Sequence, residues 1–375
     1  MRVLHVVGGL GPGGIESFLM SVYRQIDRNK VQFDFMVPEE VEYHYSHEVG
    51  ELGGRIYPIH YGKKDYLKSN RRLREFYEKM GYKVVHLHLG HLHSMQALDQ
   101  AKAAGIPVRV LHAHCAGWPL DSPRDLLNAC VHAFNRHRIS SATDYFACST
   151  AAADFFGFGD AGKGAEWKTV LNGINVGKYA YDRNIRTIKR DELGFSCEDT
   201  VIGTVGRMES EKNQSLLLRA FPLIKEKIPT AKLLIVGDGS QRTALLGLME
   251  ELSIANDCVL LSGRRDVAEL CSAMDAFAFP SILEGLGIAL IEAEANGLPC
   301  VASSGVPSEA IITTNCRVCS VENGGDLEEW AEAVVSAVKI GRLENAPEQV
   351  AAAGFSVKKT AEQLEEFYLS SIERQ

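Results

Sequence analysis

MRVLHVVGGLGPGGIESFLMSVYRQI, residues 1–26, opens the chain with a short apolar run, a glycine-rich turn and a segment of helical periodicity. Residues 1–7 read as a buried strand. Beyond the turn, Ile15, Phe18, Leu19, Val22 and Ile26 recur at spacings of three and four, which places them on one face of a helix. A strand that feeds a glycine turn and then a helix is the repeating unit of parallel sheets covered by helices on both faces. Glycines in the turn allow close approach of a ligand to the backbone, and the first-turn amides of the helix suit an anion. The turn does not keep the dinucleotide spacing G-x-G-x-x-G, because Pro12 and the Gly13-Gly14 pair alter it. A nicotinamide enzyme is therefore not the favoured reading.

The same grammar continues outward. Residues 31–37, 84–89, 108–114 and 145–148 read as further strands, the last ended by Ser149 and Thr150, good caps for a following helix. The pattern then restarts. Residues 201–205 form an apolar strand ending at Gly206, residues 216–228 an amphipathic helix, and residues 232–236 a strand ending in Gly237-Asp238-Gly239. Short buried strands follow at 259–261, 276–279 and 300–302. The polar stretch 179–197 separates the two series and suggests a linker near 176–198. A length of 375 residues fits two domains. The expected division is an α/β domain over 1–176 and a second over 177–356, with the C-terminal helix, 357–375, completing the first.

Hydrophobic residues make up 46% and charged residues 23%, ordinary proportions for a globular chain. No run of eighteen apolar residues occurs, and the first apolar stretch enters the glycine turn without a cleavage site. A cytoplasmic protein is expected, with room for peripheral contact at the cytoplasmic membrane face. The nine cysteines are odd in number and scattered, as in a reduced compartment. Cys316 and Cys319 make a C-x-x-C pair with no second pair nearby, so neither zinc nor redox chemistry is expected there. The net charge of −8 is uneven: residues 1–180 carry 21 Lys+Arg against 18 Asp+Glu, and the remainder 19 against 30. Nothing forms a nucleic-acid stripe. The segment 63–79, KKDYLKSNRRLREFYEK, holds seven basic residues and reads as a solvated helix face or as a contact for a membrane surface or acceptor.

Two later stretches carry chemistry. Residues 206–213, GRMESEKN, place Arg207 and Lys212 on a loop after a strand, where a planar fork and a point charge can hold a diphosphate. Residues 279–299, FPSILEGLGIALIEAEANGLP, separate Glu284 from Glu292 by seven residues. Gly285 and Gly287 leave open amides at a helix start, suited to phosphate. Carboxylates accept hydrogen bonds from sugar hydroxyls. On an otherwise apolar helix, Glu292 or Glu294 needs a polar partner, since an unpaired buried charge is costly.

Taken together, these pieces resemble the retaining glycosyltransferases of the GT-B fold, in the large group that includes capsule and exopolysaccharide enzymes. The resemblance spans nearly the whole chain. It rests on Gly13-Gly14-Ile15-Glu16, Ala147-Cys148-Ser149, Leu171-Asn172-Gly173-Ile174-Asn175, Gly206-Arg207 with Glu211-Lys212, the run LIVGDG at 234–239, and the block 284–299. It implies two Rossmann-like domains whose parallel sheets face each other across a cleft. It also implies transfer of a hexose or N-acetylhexosamine from a nucleotide-diphosphate sugar, foremost a UDP-sugar, to a glycan or lipid-linked glycan in polysaccharide biosynthesis.

By the same resemblance Arg207 and Lys212 hold the donor diphosphate and stabilise the leaving group. Glu292 binds the ribose hydroxyls, Glu284 contacts the transferred sugar, and the amides of Gly285, Leu286 and Gly287 meet the phosphates. Gly13 and Gly14 bring backbone close from the N-terminal side. The family places a histidine at the end of an N-terminal strand, near the donor sugar. The run VLHAHC offers two candidates, of which only one is expected to face the site: His114, nearer the strand end, or else His112. His86, His88, His91 and His93 form another cluster, for which loop and core roles outweigh a metal. No Asp-x-Asp pair occurs, which agrees with a metal-independent enzyme that needs no cofactor beyond its nucleotide-sugar substrate. The competing readings are a UDP-sugar epimerase of related fold and an inactive scaffold. The intact Arg207, Lys212, Glu284 and Glu292 set argues against the scaffold.

Overall fold

The computed structural model describes residues 1–11, 13–60, 65–117, 123–159 and 166–373, without the side chains of 123–125. It divides into two compact units, one of residues 1–174 with 356–375 and one of residues 175–355.

The first unit runs β1 (Arg2–Val6), α1 (Gly14–Gln25), β2 (Gln32–Val37), α2 (Ser46–Glu51) and β3 (Ile56–Pro58). It continues with α3 (Tyr66–Met80), β4 (Val84–Leu89), α4 (Gln96–Ala103), β5 (Val108–Ala113) and α5 (Pro123–Asn135). Then come β6 (Asp144–Ala147), α6 (Thr150–Phe156) and β7 (Trp167–Thr169). The second unit holds α7 (Val176–Tyr179), α8 (Arg183–Glu192), β8 (Thr200–Val205), α9 (Gln214–Lys227), β9 (Ala231–Val236), α10 (Arg242–Glu251) and β10 (Cys258–Leu261). After these follow α11 (Val267–Ala273), β11 (Ala276–Phe279), α12 (Ile288–Ala295), β12 (Cys300–Ser303), β13 (Cys316–Cys319), α13 (Leu327–Ile340) and α14 (Ala346–Ala352). The last helix, α15 (Val357–Glu373), packs back on the first unit against α1.

Both sheets are parallel. The first has seven strands in the order β3-β2-β1-β4-β5-β6-β7, the second six in the order β10-β9-β8-β11-β12-β13. Each unit is thus a Rossmann-like α/β layer, as expected. The central strands are buried on both faces, so apolar residues dominate them, interrupted in the first unit by His5, Asp34, His86, His88 and His112. In the first unit Phe33, Phe35, Phe146, Tyr23 and Tyr368 close the core between sheet, α1 and α15. In the second, Trp330 and Phe221 fill the face covered by α9 and α13, and the Trp330 indole N–H donates to the Ser320 carbonyl at 2.9 Å. Each such side chain fully removed from water contributes roughly 1.5–3 kcal/mol.

The stretch read as a linker carries α7 and α8. In α8 one residue, Arg190, is buried. Charges rather than an apolar stripe hold this helix: Arg186 pairs with Asp275 at 2.6 Å and Lys189 with Asp266 at 2.6 Å. Such a helix carries no hydrophobic period from which to read it.

Candidate functional site

Strand order in the second unit reverses between β8 and β11, with β9 and β10 beyond one and β12 and β13 beyond the other. An open parallel sheet leaves a crevice outside the carboxyl ends of its strands at such a switch point. The loop after β8 supplies Arg207 and Lys212, and the loop after β11 supplies Glu284.

The two loops are tied to the sheet and to each other. The Met208 amide donates to the Asp238 carbonyl at 2.8 Å, and the Ile282 amide to the Glu211 carbonyl at 2.7 Å. A Cβ on Gly237 would stand 1.9 Å from the Gly206 oxygen, so only glycine lets the loops after β8 and β9 close together. Within this frame Lys212 Nζ donates to Glu284 Oε1 at 2.5 Å, with both side chains largely buried. Lys212 also lies 5.9 Å from the centre of the Phe279 ring. Arg207 differs: its side chain is 67% exposed and meets Glu211 at 2.8 Å, which leaves the guanidinium open to a ligand.

Gly287 precedes α12 with φ +90, a left-handed conformation that favours glycine. It turns the chain so that the first amides of α12, which have no carbonyl inside the helix to meet, open at the helix start. Glu284 and Glu292 therefore lie on either side of this helix start in the sequence. The Glu292 carboxyl accepts from the Tyr179 hydroxyl in a very short contact. Although Glu292 keeps some exposure as a residue, its carboxyl sits deep enough that desolvation pushes it up to about 7, against the downward pull of Tyr179 and Lys178. Glu294 is fully buried and has a different task. Its Oε1 accepts from the amides of Ile312 and Thr313 at 3.0 and 2.9 Å and from Thr313 Oγ1 at 2.8 Å. Both glutamates thus have polar partners, although Glu294 Oε2 is buried with none among the described residues. Tyr179 was not legible as a site residue, because it reaches Glu292 across 113 positions of sequence.

In the first unit the switch point falls between β1 and β4. The glycine turn leaves β1 there. A Cβ placed on Gly8, Gly11 or Gly14 would meet nothing within 4 Å, so no packing constraint excludes a side chain; open space for a ligand remains along that backbone. Gly13 caps α1, and a Cβ there would strike the Glu16 carboxylate at 2.4 Å.

The histidines are arranged otherwise than expected. His112 and His114 do not face opposite ways. The pleat alternates between consecutive residues, so residues two apart share a face, and their rings lie 4.1 Å apart. His86 and His88 join them on the same face, and so does His5 of β1. All five are buried. Burial drives their ring pKa values down, to about 3 for His5 and His114. His91 and His93 separate from this layer and meet edge to face in the loop after β4, ring centres 5.2 Å apart.

Residues 185–354 match the family described as Glycosyl transferases group 1, and residues 12–177 match Glycosyltransferase Family 4. The chain is 31% identical over 383 residues to EpsF of Bacillus subtilis (strain 168), a glycosyltransferase by name, covering 100% of this chain and 97% of that one. It is 27% identical, over 54% of each chain, to the UDP-Gal:alpha-D-GlcNAc-diphosphoundecaprenol alpha-1,3-galactosyltransferase of Escherichia coli. In fold it agrees with Anabaena HepE in complex with UDP and glucose, at a TM-score of 0.78 and 20% identity over 99% of this chain and 100% of that one. The chain is a glycosyltransferase of the GT-B fold class. It belongs to the group 1 glycosyltransferases, its N-terminal half being of the family 4 type, and works in glycan biosynthesis.

Proposed function

We propose that this glycosyltransferase moves a hexose or N-acetylhexosamine from a UDP-sugar to a glycan or lipid-linked glycan, with retention at the anomeric carbon. The Lys212–Glu284 pair at the switch point of the second unit carries this reading. It sets an ammonium beside a carboxylate at the mouth of a helix start, where a sugar diphosphate needs a cation for its phosphates and an acceptor for its hydroxyls. Arg207 adds a second cation, and the amides of Leu286 and Gly287 add donors. Positive charge placed where the leaving phosphate gains negative charge lowers the barrier, and it does so without a dedicated nucleophile. The anomeric C–O bond to phosphate breaks, the acceptor oxygen bonds to the same face, and the departing phosphate oxygen takes the acceptor's proton. Glu292 receives the ribose hydroxyls. In this reading Arg207 and Lys212 neutralise the diphosphate, and the reaction calls for no metal or further cofactor.

A lipid-linked acceptor fits the surface of the first unit. α3 exposes Lys68, Arg71, Arg72, Arg74 and Lys79, and α5 exposes Leu126, Leu127 and Phe134. Arg138 joins these regions, donating to the Tyr66 hydroxyl at 3.3 Å and to Asn135 Oδ1 at 3.1 Å. Basic and apolar groups side by side suit the anionic cytoplasmic face of a membrane. The Escherichia coli relative, named for transfer from UDP-galactose to a diphosphoundecaprenol-linked sugar, points the same way.

Transfer from radiolabelled UDP-sugars to lipid-linked acceptors, followed by NMR of the product anomer, tests the proposal. An α-linkage from an α-donor supports it. An inverted linkage, or conversion of UDP-N-acetylglucosamine without acceptor, overturns it. A thermal-shift screen over nucleotides identifies the base, since a ligand at 100 times its dissociation constant stabilises by about 2.7 kcal/mol.

A further inference from the structure

Five imidazoles in the core of the first unit form two hydrogen-bonded chains. In one, His5 Nδ1 faces His88 Nε2 at 3.0 Å and His88 Nδ1 faces His114 Nε2 at 3.0 Å. In the other, the Tyr368 hydroxyl meets His86 Nδ1 at 2.6 Å and His86 Nε2 faces His112 Nδ1 at 3.2 Å. Buried and neutral, each ring carries one N–H and one lone pair. A chain of such rings must run in one direction, every ring donating to the next. It ends in an N–H that no member of the chain can accept.

The Tyr368 hydroxyl can donate to His86 Nδ1 or accept from it. Where it donates, His86 Nε2–H donates to His112 and the final N–H is His112 Nε2, which lacks a partner among the described residues. That ring stands edge-on to Phe18 at 5.7 Å and 85°. The first chain can end at either of two atoms, His5 Nε2 or His114 Nδ1, and both lack a partner among the described residues. His5 is enclosed by Phe33 and Phe35, with ring centres 4.1 and 5.8 Å away. An unmet N–H there carries its full desolvation cost with no remedy. A bare nitrogen acceptor is the easier group to leave unpaired. His114 stands just past β5, at the carboxyl edge of the sheet; its Nδ1 is buried there without a partner among the described residues, so an N–H on it calls for a ligand oxygen.

We propose that His88, with His5 behind it, is a positioning residue that polarises His114, so that Nδ1 holds the proton and is offered to an oxygen of a bound sugar or phosphate. The inference rests on His114 as a ligand-facing residue, but the polarity of the chain can be read without any ligand. A metal is the other occupant the layer suggests. His5, His86 and His88, and again His88, His112 and His114, bring ring nitrogens within 4.8 Å of one another. Hydrogen bonds already join the facing nitrogens. Asp34, the carboxylate that acts on His5, is committed to Arg2, Tyr82 and the Arg55 amide. A divalent charge would therefore be buried without an anion.

The test is a two-bond proton–nitrogen spectrum of the full chain with labelled histidine, the His114 signals being assigned by His114→Asn. The expected result is a neutral His114 protonated on Nδ1. In His88→Leu that preference is lost, and in His88→Asn it is kept, because the Asn amide supplies a donor in place of His88 Nδ1. Where His88→Leu does not fold, His5→Phe is read instead and weakens the same preference. A His114 protonated on Nε2, a tautomer unchanged in His88→Leu, or uptake of one equivalent of Zn²⁺ by the chelator-treated chain overturns the proposal. If His114→Asn leaves glycosyl transfer unchanged while the tautomer is as expected, the role of His114 fails and the polarity of the chain stands.

Discussion

Lys212 and Glu284 meet at 2.5 Å, an ion pair that joins the loop after β8 to the loop after β11. Removing one partner of a largely buried pair leaves the other charge uncompensated, at a cost of about 3–5 kcal/mol. Lys212→Ala is therefore expected to lower the stability of the second unit by roughly that amount and to abolish measurable transfer. Arg207 makes the contrast. Its pair with Glu211 is exposed, and exposed pairs contribute about 0–1 kcal/mol. Arg207→Ala should leave urea unfolding nearly unchanged. It should nevertheless weaken UDP binding about ten- to a hundredfold, through a lost charged hydrogen bond of roughly 1.5–3 kcal/mol. Calorimetric titration with UDP beside urea unfolding separates the two effects. Equal losses of stability in both variants would contradict the assignment.

With Glu292 as the proposed ribose-binding residue, the Tyr179 hydroxyl bonded to its carboxyl is expected to give UDP binding a pH dependence. Burial holds Glu292 up at about 7, and in the proposed role its ionised form is the one expected to accept the ribose hydroxyls. UDP affinity is expected to rise as pH passes upward through about 7. Tyr179→Phe removes one of the groups that pull the pKa down, so the midpoint should move to higher pH. Stability runs in the opposite sense. The folded state holds a proton that the unfolded chain has lost above the ordinary carboxylate value near 4.5, so this contribution is full below that value and lost as pH rises towards 7. UDP titrations from pH 6 to 8.5 on both proteins check the shift.

What could be read from sequence follows from how local each feature is. The central strands were legible because burial on both faces makes apolar residues dominate them. The edge strands β3, β7 and β13 were not, since Ile56–Pro58, Trp167–Thr169 and Cys316–Cys319 are short and partly exposed. Arg207, Lys212, Glu284 and Glu292 were legible as candidates because each sits within a few residues of a strand end or a glycine. The partners that define their state were not. Tyr179 reaches Glu292, and Thr313 reaches Glu294, only through the tertiary fold. His5 joins the other histidines because β1 lies next to β4, a fact of strand order that no local pattern contains.

The histidine layer should make the first unit sensitive to acid. His5 and His114 titrate near 3 when folded and near 6.5 when unfolded. Between those values the unfolded chain binds more protons than the folded one, so stability falls as pH drops below about 6.5 and is flat above it. Each such ring steepens the dependence by about 1.4 kcal/mol per pH unit. Urea midpoints followed by fluorescence from pH 8 to 5 should fall more steeply for the native protein than for His114→Leu. Parallel curves for the two would show that His114 is not held neutral by the fold.

The exposed groups of α3 and α5 make the remaining prediction. Near an anionic surface each lysine or arginine contributes about 1 kcal/mol, screened within a Debye length. Lys68 and Arg72 stand exposed on α3, and Leu127 and Phe134 are 64% and 70% exposed on α5. Vesicles containing phosphatidylglycerol should therefore sediment with the protein at low salt and release it as salt rises. Replacing Lys68 and Arg72 with glutamine should cut the partition coefficient about thirtyfold, which corresponds to roughly 2 kcal/mol. Leu127→Ser with Phe134→Ser should also weaken binding, but with little change in its salt dependence, because that part of the attraction is apolar. Neither pair touches Arg207, Lys212, Glu284 or Glu292, so UDP binding should be unaltered in both. Vesicle binding unchanged in both variants would remove the membrane from the proposed acceptor.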